Sequence, residues 1–573
     1  NNPQVSLGNN AQEETTFLHT VERGQTIYAI SLMYDVNEEA IYRLNPSSRE
    51  YIKVGEKLKI PQKNVSNISL SEDKGEAPFV FHTIQPKETL YGVSKKFNVT
   101  GEQIIKANPG LSSQTFAAGK TIRIPQVIEL PPTTEKKTVI KEIQYTIKKK
   151  ETVYSICKSF NITSDKLMEY NPTLKKGGLK AGTVIIIPME AEAIVTSTPE
   201  QNENEVNALI TIPKVIKSVN AVKIALLLPF KISDAAASAR HTEFYEGLLM
   251  AVDSMRNTGV TIEMSVYDIG EGVQKTKEIL QKDELLRANL LIGGVSNEQI
   301  ELIADFALKH EIKYVVPFSA KCDKLTSNNA YMFQVATPHQ YLYSYVSTRA
   351  CTLFSNYNII FLNTNDKDEK TLYIQTFKAD LSQRKLPFKQ LNFKESTFQA
   401  DLTALLSKDK PNLIVPLSGA KEALAKIKEP LRVMVDAKQA NNLTLFGYPE
   451  WQVYANDYLK ELFALNTYIY ATFYANNLSS DVKRFNVKYR SFYKKEMMAS
   501  YPKLGMLGYD TGMYFISAIV KYGSNFENDI QKIKYNSLQT GFNFQRVNNW
   551  GGFINTNLYY VQYQKDFTIK RIE

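Results

Sequence analysis

The chain has 573 residues and 43% hydrophobic content, enough for several packed cores at roughly 100–200 residues per domain. Its net charge of +10 favours anionic partners in general, but the lysines are dispersed and no nucleic-acid motif is present, which argues against nucleic acid. No run approaches the roughly 18 apolar residues that a membrane-spanning helix needs.

Metal and cofactor chemistry have almost no support. The three cysteines, Cys157, Cys322 and Cys351, are an odd count without metal-site spacing, and the five histidines form no HExxH or His-x-His pair. No metal and no cofactor are therefore expected, and the chain is not expected to be an enzyme.

Residues 1–16 are polar and read as a tether at a mature or trimmed end. Behind them, Asn45-Pro46, Asn108-Pro109 and Asn171-Pro172 recur at intervals of 63 and 63 residues. In the same register, His19-Thr20-Val21 becomes His82-Thr83-Ile84 and Tyr145-Thr146-Ile147. A fixed period of this kind defines a folding unit. Each copy reads as strand, helix, helix, strand. Thr26, Thr89 and Thr152 are placed to cap the first helix. Thr100 and Gln103 form a capping box for a second helix, and Asn-Pro ends it, because the residue before proline leaves the α region. Gly55, Gly119 and Gly182 turn the chain into a closing strand that ends Ile-Pro.

These units, at 17–62, 80–126 and 143–189, resemble the LysM domain, a βααβ module that binds peptidoglycan or chitin through N-acetylglucosamine. The carrying residues are His-Thr-Val, the stretch Gly24 to Ile27, Asn-Pro and Ile-Pro. The resemblance implies a sugar groove between two loops. In the first copy it places Gly24, Gln25, Thr26 and Ile27 opposite Asn45, Pro46, Tyr51, Ile52 and Lys53. In the other copies it implicates Thr89, Leu90 and Asn108, then Thr152, Val153 and Asn171. Gly24 gives way to Lys87 and Lys150, where a side chain is expected to narrow the approach, so the first copy is the favoured binder.

Residues 63–79 and 127–142 are polar or proline-bearing connections. The longest connection, 190–221, reads as a flexible linker. From residue 222 to 573 the period gives way to alternating strands and helices, starting with the continuous apolar run Lys223 to Pro229. Repeated βα units imply a doubly wound parallel sheet. The stretch resembles the type I periplasmic-binding-protein fold, as in receptors for branched-chain amino acids. That resemblance is carried by Ala225 to Pro229, Phe-Tyr-Glu-Gly-x-x-x-Ala from Phe244 to Ala251, Ile292 to Ser296, Val316 to Ala320 and Leu507 to Gly512.

The fold class expected is therefore multidomain α+β and α/β, with three βααβ modules and a two-lobed doubly wound domain. The second resemblance implies a cleft lined by Gly294, Val295, Ser296, Ser319 and Ala320 in one lobe and by Tyr448, Glu450 and Trp451 in the other. Crossovers near Thr337-Pro338 and Tyr470 to Thr472 are the expected hinges. Gly294 stands where such receptors commonly have proline, and no acidic anchor for a ligand ammonium is evident.

Similar two-lobed domains occur in outer-membrane lipoproteins that activate peptidoglycan synthases. The favoured expectation is a protein of the periplasm, with an outer-membrane lipoprotein as one option for its location, which binds peptidoglycan or another N-acetylglucosamine polymer and contacts an envelope protein. The alternative is a wall-tethered solute receptor for an amino acid or peptide, with a small-molecule ligand in the cleft.

Overall fold

The computed structural model describes residues 14–62, 79–126, 137–193, 202–367, 370–440 and 442–573. Most of the tether and the greater part of the two shorter connections lie outside the described residues.

Three small units open the chain. The first runs β1 (Thr16–Thr20), α1 (Ile27–Tyr34), α2 (Glu38–Leu44) and β2 (Lys57–Pro61). The second runs β3 (Phe79–Thr83), α3 (Leu90–Phe97), α4 (Gly101–Ala107) and β4 (Thr121–Pro125). The third runs β5 (Lys137–Thr146), α5 (Val153–Phe160), α6 (Ser164–Tyr170), a short α7 (Leu174–Gly177) and β6 (Val184–Ala193). Each strand pair is antiparallel. The threonines cap as expected: Thr26, Thr89 and Thr152 accept from the amides of Ala29, Gly92 and Ser155, and the Thr100–Gln103 capping box forms.

The stretch after the third unit is not a plain linker. Residues 202–221 include α8 (Glu203–Ala208), capped by Asn202, and Val206 is only 4% exposed because it enters the core of the second unit.

The first lobe is built from β7 (Val222–Leu228), α9 (Ala235–Arg256), β8 (Ile262–Asp268), α10 (Gln274–Ile279), β9 (Leu290–Gly293), α11 (Asn297–His310), β10 (Lys313–Val316), α12 (Asp323–Thr326) and β11 (Met332–Gln334). The second is built from α13 (His339–Leu353), β12 (Asn358–Asn363), α14 (Thr371–Gln383), β13 (Phe388–Asn392), α15 (Phe398–Leu405), β14 (Asn412–Pro416), α16 (Lys421–Asp436), β15 (Leu443–Gly447), α17 (Leu459–Ala464) and β16 (Tyr468–Ala471). The chain then returns to the first lobe with α18 (Ser480–Tyr493), α19 (Leu504–Tyr522), β17 (Phe544–Arg546) and β18 (Phe553–Asn555). It finishes in the second with β19 (Tyr559–Tyr563) and β20 (Ile569–Ile572).

The two seven-stranded sheets have the orders β17-β18-β11-β10-β9-β7-β8 and β13-β12-β14-β15-β16-β19-β20. Their parallel cores share one doubly wound order, with the first strand between the second and the third, which opens a crevice at the carboxyl ends of the strands. The expected two-lobed architecture is thus present, with crossovers after β11, after β16 and between β18 and β19. In the first lobe α9 and α19 cross closely enough that a Cβ on Gly508 would stand 2.0 Å from the Phe244 carbonyl oxygen, so glycine is required there. The buried Glu243 accepts from the amides of Leu504 and Gly505 and fixes the start of α19.

The first two units are fastened to the first lobe by the turn between β17 and β18. Trp550, 2% exposed, completes the core of the first unit, its ring centroid 6.0 Å from that of Tyr34 and 5.3 Å from that of Phe81. The Arg123 guanidinium lies 5.1 Å from the Trp550 ring centroid and donates to Asn328 Oδ1 at 2.5 Å. Gly110 N donates to the Asn549 carbonyl and Asn549 Nδ2 to the Thr121 carbonyl.

Candidate functional site

Several residues implicated in sugar contact are committed to the fold of their own unit. Asn45 Nδ2 donates to the Ile41 and Lys59 carbonyls at 2.9 and 2.8 Å, and its Oδ1 accepts from Lys59 N at 2.9 Å. Asn108 and Asn171 repeat the pattern with Ile104 and Arg123 and with Leu167 and Ile186. Each amide thereby ties the end of a second helix to the closing strand, which is why asparagine recurs at the period. Gln25 is similarly engaged: its Oε1 accepts from Glu22 N at 2.8 Å and lies 2.8 Å from His19 Nε2. Glu88 with His82, and Glu151 with Tyr145, make the same loop-to-strand tie.

The rest of the first groove does assemble. Gly24, Thr26 and Ile27 face Tyr51 and Ile52 across a cavity of about 230 Å³, whereas Asn45, Pro46 and Lys53 do not line it. Tyr28 and Tyr42 line it too; the aromatic recurrence Tyr28, Tyr91, Tyr154 was the available signal for the first of these. The opposite wall comes from the second lobe, through Gln340 and Ser344 of α13 and Leu372 and Gln375 of α14. Nothing in the repeats signals that wall. Burial, with the Asp380 carboxylate nearby, pushes the Tyr51 phenol up to about 12. Gly24 has φ +85°, and a Cβ there would stand 3.0 Å from the Tyr341 carbonyl oxygen. Lys87 and Lys150 hold the same left-handed backbone, with φ of 68° and 71°.

In the second unit the corresponding groove is occupied by the chain itself. Asn207 Oδ1 accepts from Tyr91 N at 3.0 Å, and the Ile210 carbonyl accepts from Ser113 N at 2.9 Å. Val206 and Leu209 lie so close to Gly101 that a Cβ there would be 2.7 and 3.0 Å from their methyl carbons. Tyr91, Gly101 and Ser113 stand one period after Tyr28, Glu38 and Glu50, which line the first groove. Thr89 and Leu90, implicated as sugar contacts, are a helix cap and a core residue that is 1% exposed. In the third unit the corresponding helix start faces solvent. Tyr154, the counterpart of Tyr28, is 74% exposed, and Thr152 caps α5 beside it with Val153 half-buried.

The first-lobe candidates sit at the start of α11, where Ser296 and Gln299 form a capping box. Gln299 is 2% exposed and its Oε1 accepts from the amides of Val295 and Ser296 at 3.3 and 3.2 Å, while its Nε2 donates to the Gly270 and Gly272 carbonyls. Ser296 Oγ accepts from Gln299 N as the cap of α11. Gly294 is buried, and a Cβ there would be 2.6 Å from the Tyr314 hydroxyl. Ser319 Oγ accepts from Lys321 N at 3.1 Å, with Ala320 exposed beside it.

The second-lobe candidates are placed differently from what was expected. Tyr448 and Trp451 are fully buried and donate to the Pro416 and Gly419 carbonyls, so they belong to the core of the second lobe. Glu450 is paired with Lys370. An open hollow of about 690 Å³, which sequence reasoning missed, lies at the ends of β7 and β8 between Phe230, Ser233, Gly270 and Glu271.

Comparison with known proteins gives the following. The LysM domain model matches residues 19–61, 82–125 and 145–188. YdhD of Bacillus subtilis (strain 168), named as a sporulation-specific glycosylase, is 28% identical over 111 residues, which are 19% of this chain and 22% of that protein. The chain therefore spans about a fifth of that relative's length. Among solved structures, the branched-chain amino acid ABC transporter periplasmic ligand-binding protein of Burkholderia xenovorans LB400 is 12% identical, covering 61% of this chain and 94% of that one at a TM-score of 0.41. LivJ of Streptococcus pneumoniae, in complex with isoleucine, is 16% identical, covering 61% and 99% at a TM-score of 0.33. The chain thus joins three units that match the LysM model to a two-lobed α/β domain.

Proposed function

We propose that this is an extracytoplasmic cell-envelope protein that holds a two-lobed contact domain at peptidoglycan through its LysM units. Three in-phase matches to the LysM model carry the glycan part of the reading. The exposed helix start around Tyr154 makes the third unit its freest anchor, in place of the first.

The two-lobed domain is read as engaging another envelope protein. The observation that carries this is Gln299. Its side chain satisfies the two loop amides that the receptor resemblance assigns to a ligand carboxylate, so a solute would have to displace a buried and fully hydrogen-bonded group.

Binding of the full chain to purified sacculi tests the first part. Retention is expected, with a several-fold loss for Tyr154→Ala; no retention would overturn it. A thermal-shift screen of amino acids, short peptides and muropeptides tests the second. A ligand at a hundredfold excess over its dissociation constant would add about 2.7 kcal/mol, and a clear shift abolished by Ser319→Ala would favour a solute receptor.

A further inference from the structure

The cavity between the first LysM unit and the second lobe spans two bodies joined by the crossovers expected to act as hinges. The unit rides on the first lobe: Trp550 fills its core, Asn328 Nδ2 reaches the Leu32 carbonyl at 3.4 Å, and Lys324 pairs with Asp35 at 3.5 Å. The facing wall belongs to the second lobe. Helix α13 begins directly after the Thr337-Pro338 crossover and is held to that lobe by Tyr560 Oη donating to the Val346 carbonyl and by Arg349 donating to the Leu558 carbonyl. Rotation of one lobe against the other therefore changes the width of this cavity.

We propose that the cavity is a composite sugar site, in which one N-acetylglucosamine unit is clamped between the first LysM unit and α13–α14, and that its occupation fixes the angle between the lobes. The proposal rests on the reading that the LysM units bind such polymers. The volume, about 230 Å³, lies below the roughly 300–1,000 Å³ of drug-sized sites and suits a single sugar rather than a strand.

The lining matches the chemistry. Ile27 and Ile52 offer an apolar notch for an acetyl methyl. On the other wall Ser344 Oγ is buried and, among the described residues, without a hydrogen-bond partner, and Gln375 supplies an exposed amide. An unsatisfied buried hydroxyl costs free energy that a ligand amide or hydroxyl would recover. Glu38 and Glu50 at the edge of the cavity oppose the carboxylate of a muramic acid, whereas Arg49 is already paired with Glu39, so a neutral sugar is the better occupant. Because such a sugar touches both bodies, its affinity and the lobe equilibrium are linked reciprocally.

Hydrogen exchange of the full chain with and without chitotetraose tests the proposal. Slower exchange is expected jointly in residues 24–28 and 48–54, in 340–346 and 372–376, and at the crossover 335–339. Ser344→Ala and the surface change Gln375→Ala should each weaken this joint protection about fivefold in oligomer concentration while protection around Tyr154 stays unchanged. Protection of 24–28 and 48–54 without α13–α14 would overturn the composite site. Protection confined to the third unit would overturn it too, leaving glycan binding by the chain intact. No protection in any unit would overturn both readings.

Discussion

The Tyr345 ring lies against Gly24 across a domain boundary: a Cβ on residue 24 would stand 3.0 Å from Tyr345 Cε2, and the neighbouring Arg23 guanidinium lies 5.9 Å from the same ring centroid. The glycine of the first unit thus answers to the second lobe as well as to its own left-handed turn. Its counterparts show that the turn alone does not demand it, since Lys87 and Lys150 adopt the same conformation.

Gly24→Lys should accordingly destabilise the contact with α13 by about 1–3 kcal/mol, read as faster amide exchange in residues 339–347. Lys150→Gly should change stability by less than about 1 kcal/mol. Equal effects at the two positions would show that the turn, not the neighbour, sets the choice.

Trp550→Ala removes a ring buried among Tyr34, Phe81 and Arg123. A loss of about 3–5 kcal/mol is expected, as for large-to-small changes in cores. It should free the first two units from the first lobe, so that the radius of gyration by small-angle scattering rises while helix content by circular dichroism holds. An unchanged radius would show that the remaining polar contacts suffice.

The second unit should gain a usable groove when its internal occupant is driven out. Val206→Asp with Leu209→Asp places charges against Leu90, Ile105 and Phe116. Exchange of the Ser113 amide, now bonded to the Ile210 carbonyl, should accelerate at least tenfold, and retention on chitin beads should rise. Faster exchange without greater retention would show that the uncovered groove has no affinity for the sugar.

Acid should loosen the first unit selectively. His19 is 4% exposed, with Nδ1 2.6 Å from the Tyr34 hydroxyl, and burial holds its pKa below 6.5. The unfolded state therefore takes the proton first, so this contribution is whole at neutral pH and is lost as pH falls below 6.5. Intrinsic-rate-corrected exchange of the β1 amides between pH 7 and pH 5 should reveal the loss, and His19→Gln should flatten it. The third unit, with Tyr145 at that position, serves as an internal control.

The repeat units were legible because their periodic residues do periodic work: threonine caps, an asparagine clamp and a left-handed turn recur every time. The same regularity misled the reading of the sites. Asn45 recurs for folding, Gln25 ties a loop to a strand as Glu88 and Glu151 do while also lining the first groove, and no spacing distinguishes a residue kept for its own module from one kept for a sugar. The two-lobed order was equally visible in its alternating apolar runs and helices. What escaped was contact between distant segments, α8 on the second unit and α13 beside Gly24, together with the local Ser296–Gln299 capping box. Tyr448 and Trp451 were read as cleft residues because aromatics after a strand suit either a site or a core, and only burial separates the two.

The placement of Trp550 bears on how the chain is made. Tyr34 and its partner ring are separated by more than five hundred residues, so the first LysM unit lacks part of its interior until the turn between β17 and β18 has been made. Until then Phe17, Tyr34 and Phe81 form an uncovered aromatic face, a surface that a chaperone could shield before that turn arrives. Expression of an isolated N-terminal fragment would leave that face permanently bare, and its self-association could mimic avidity for an insoluble wall.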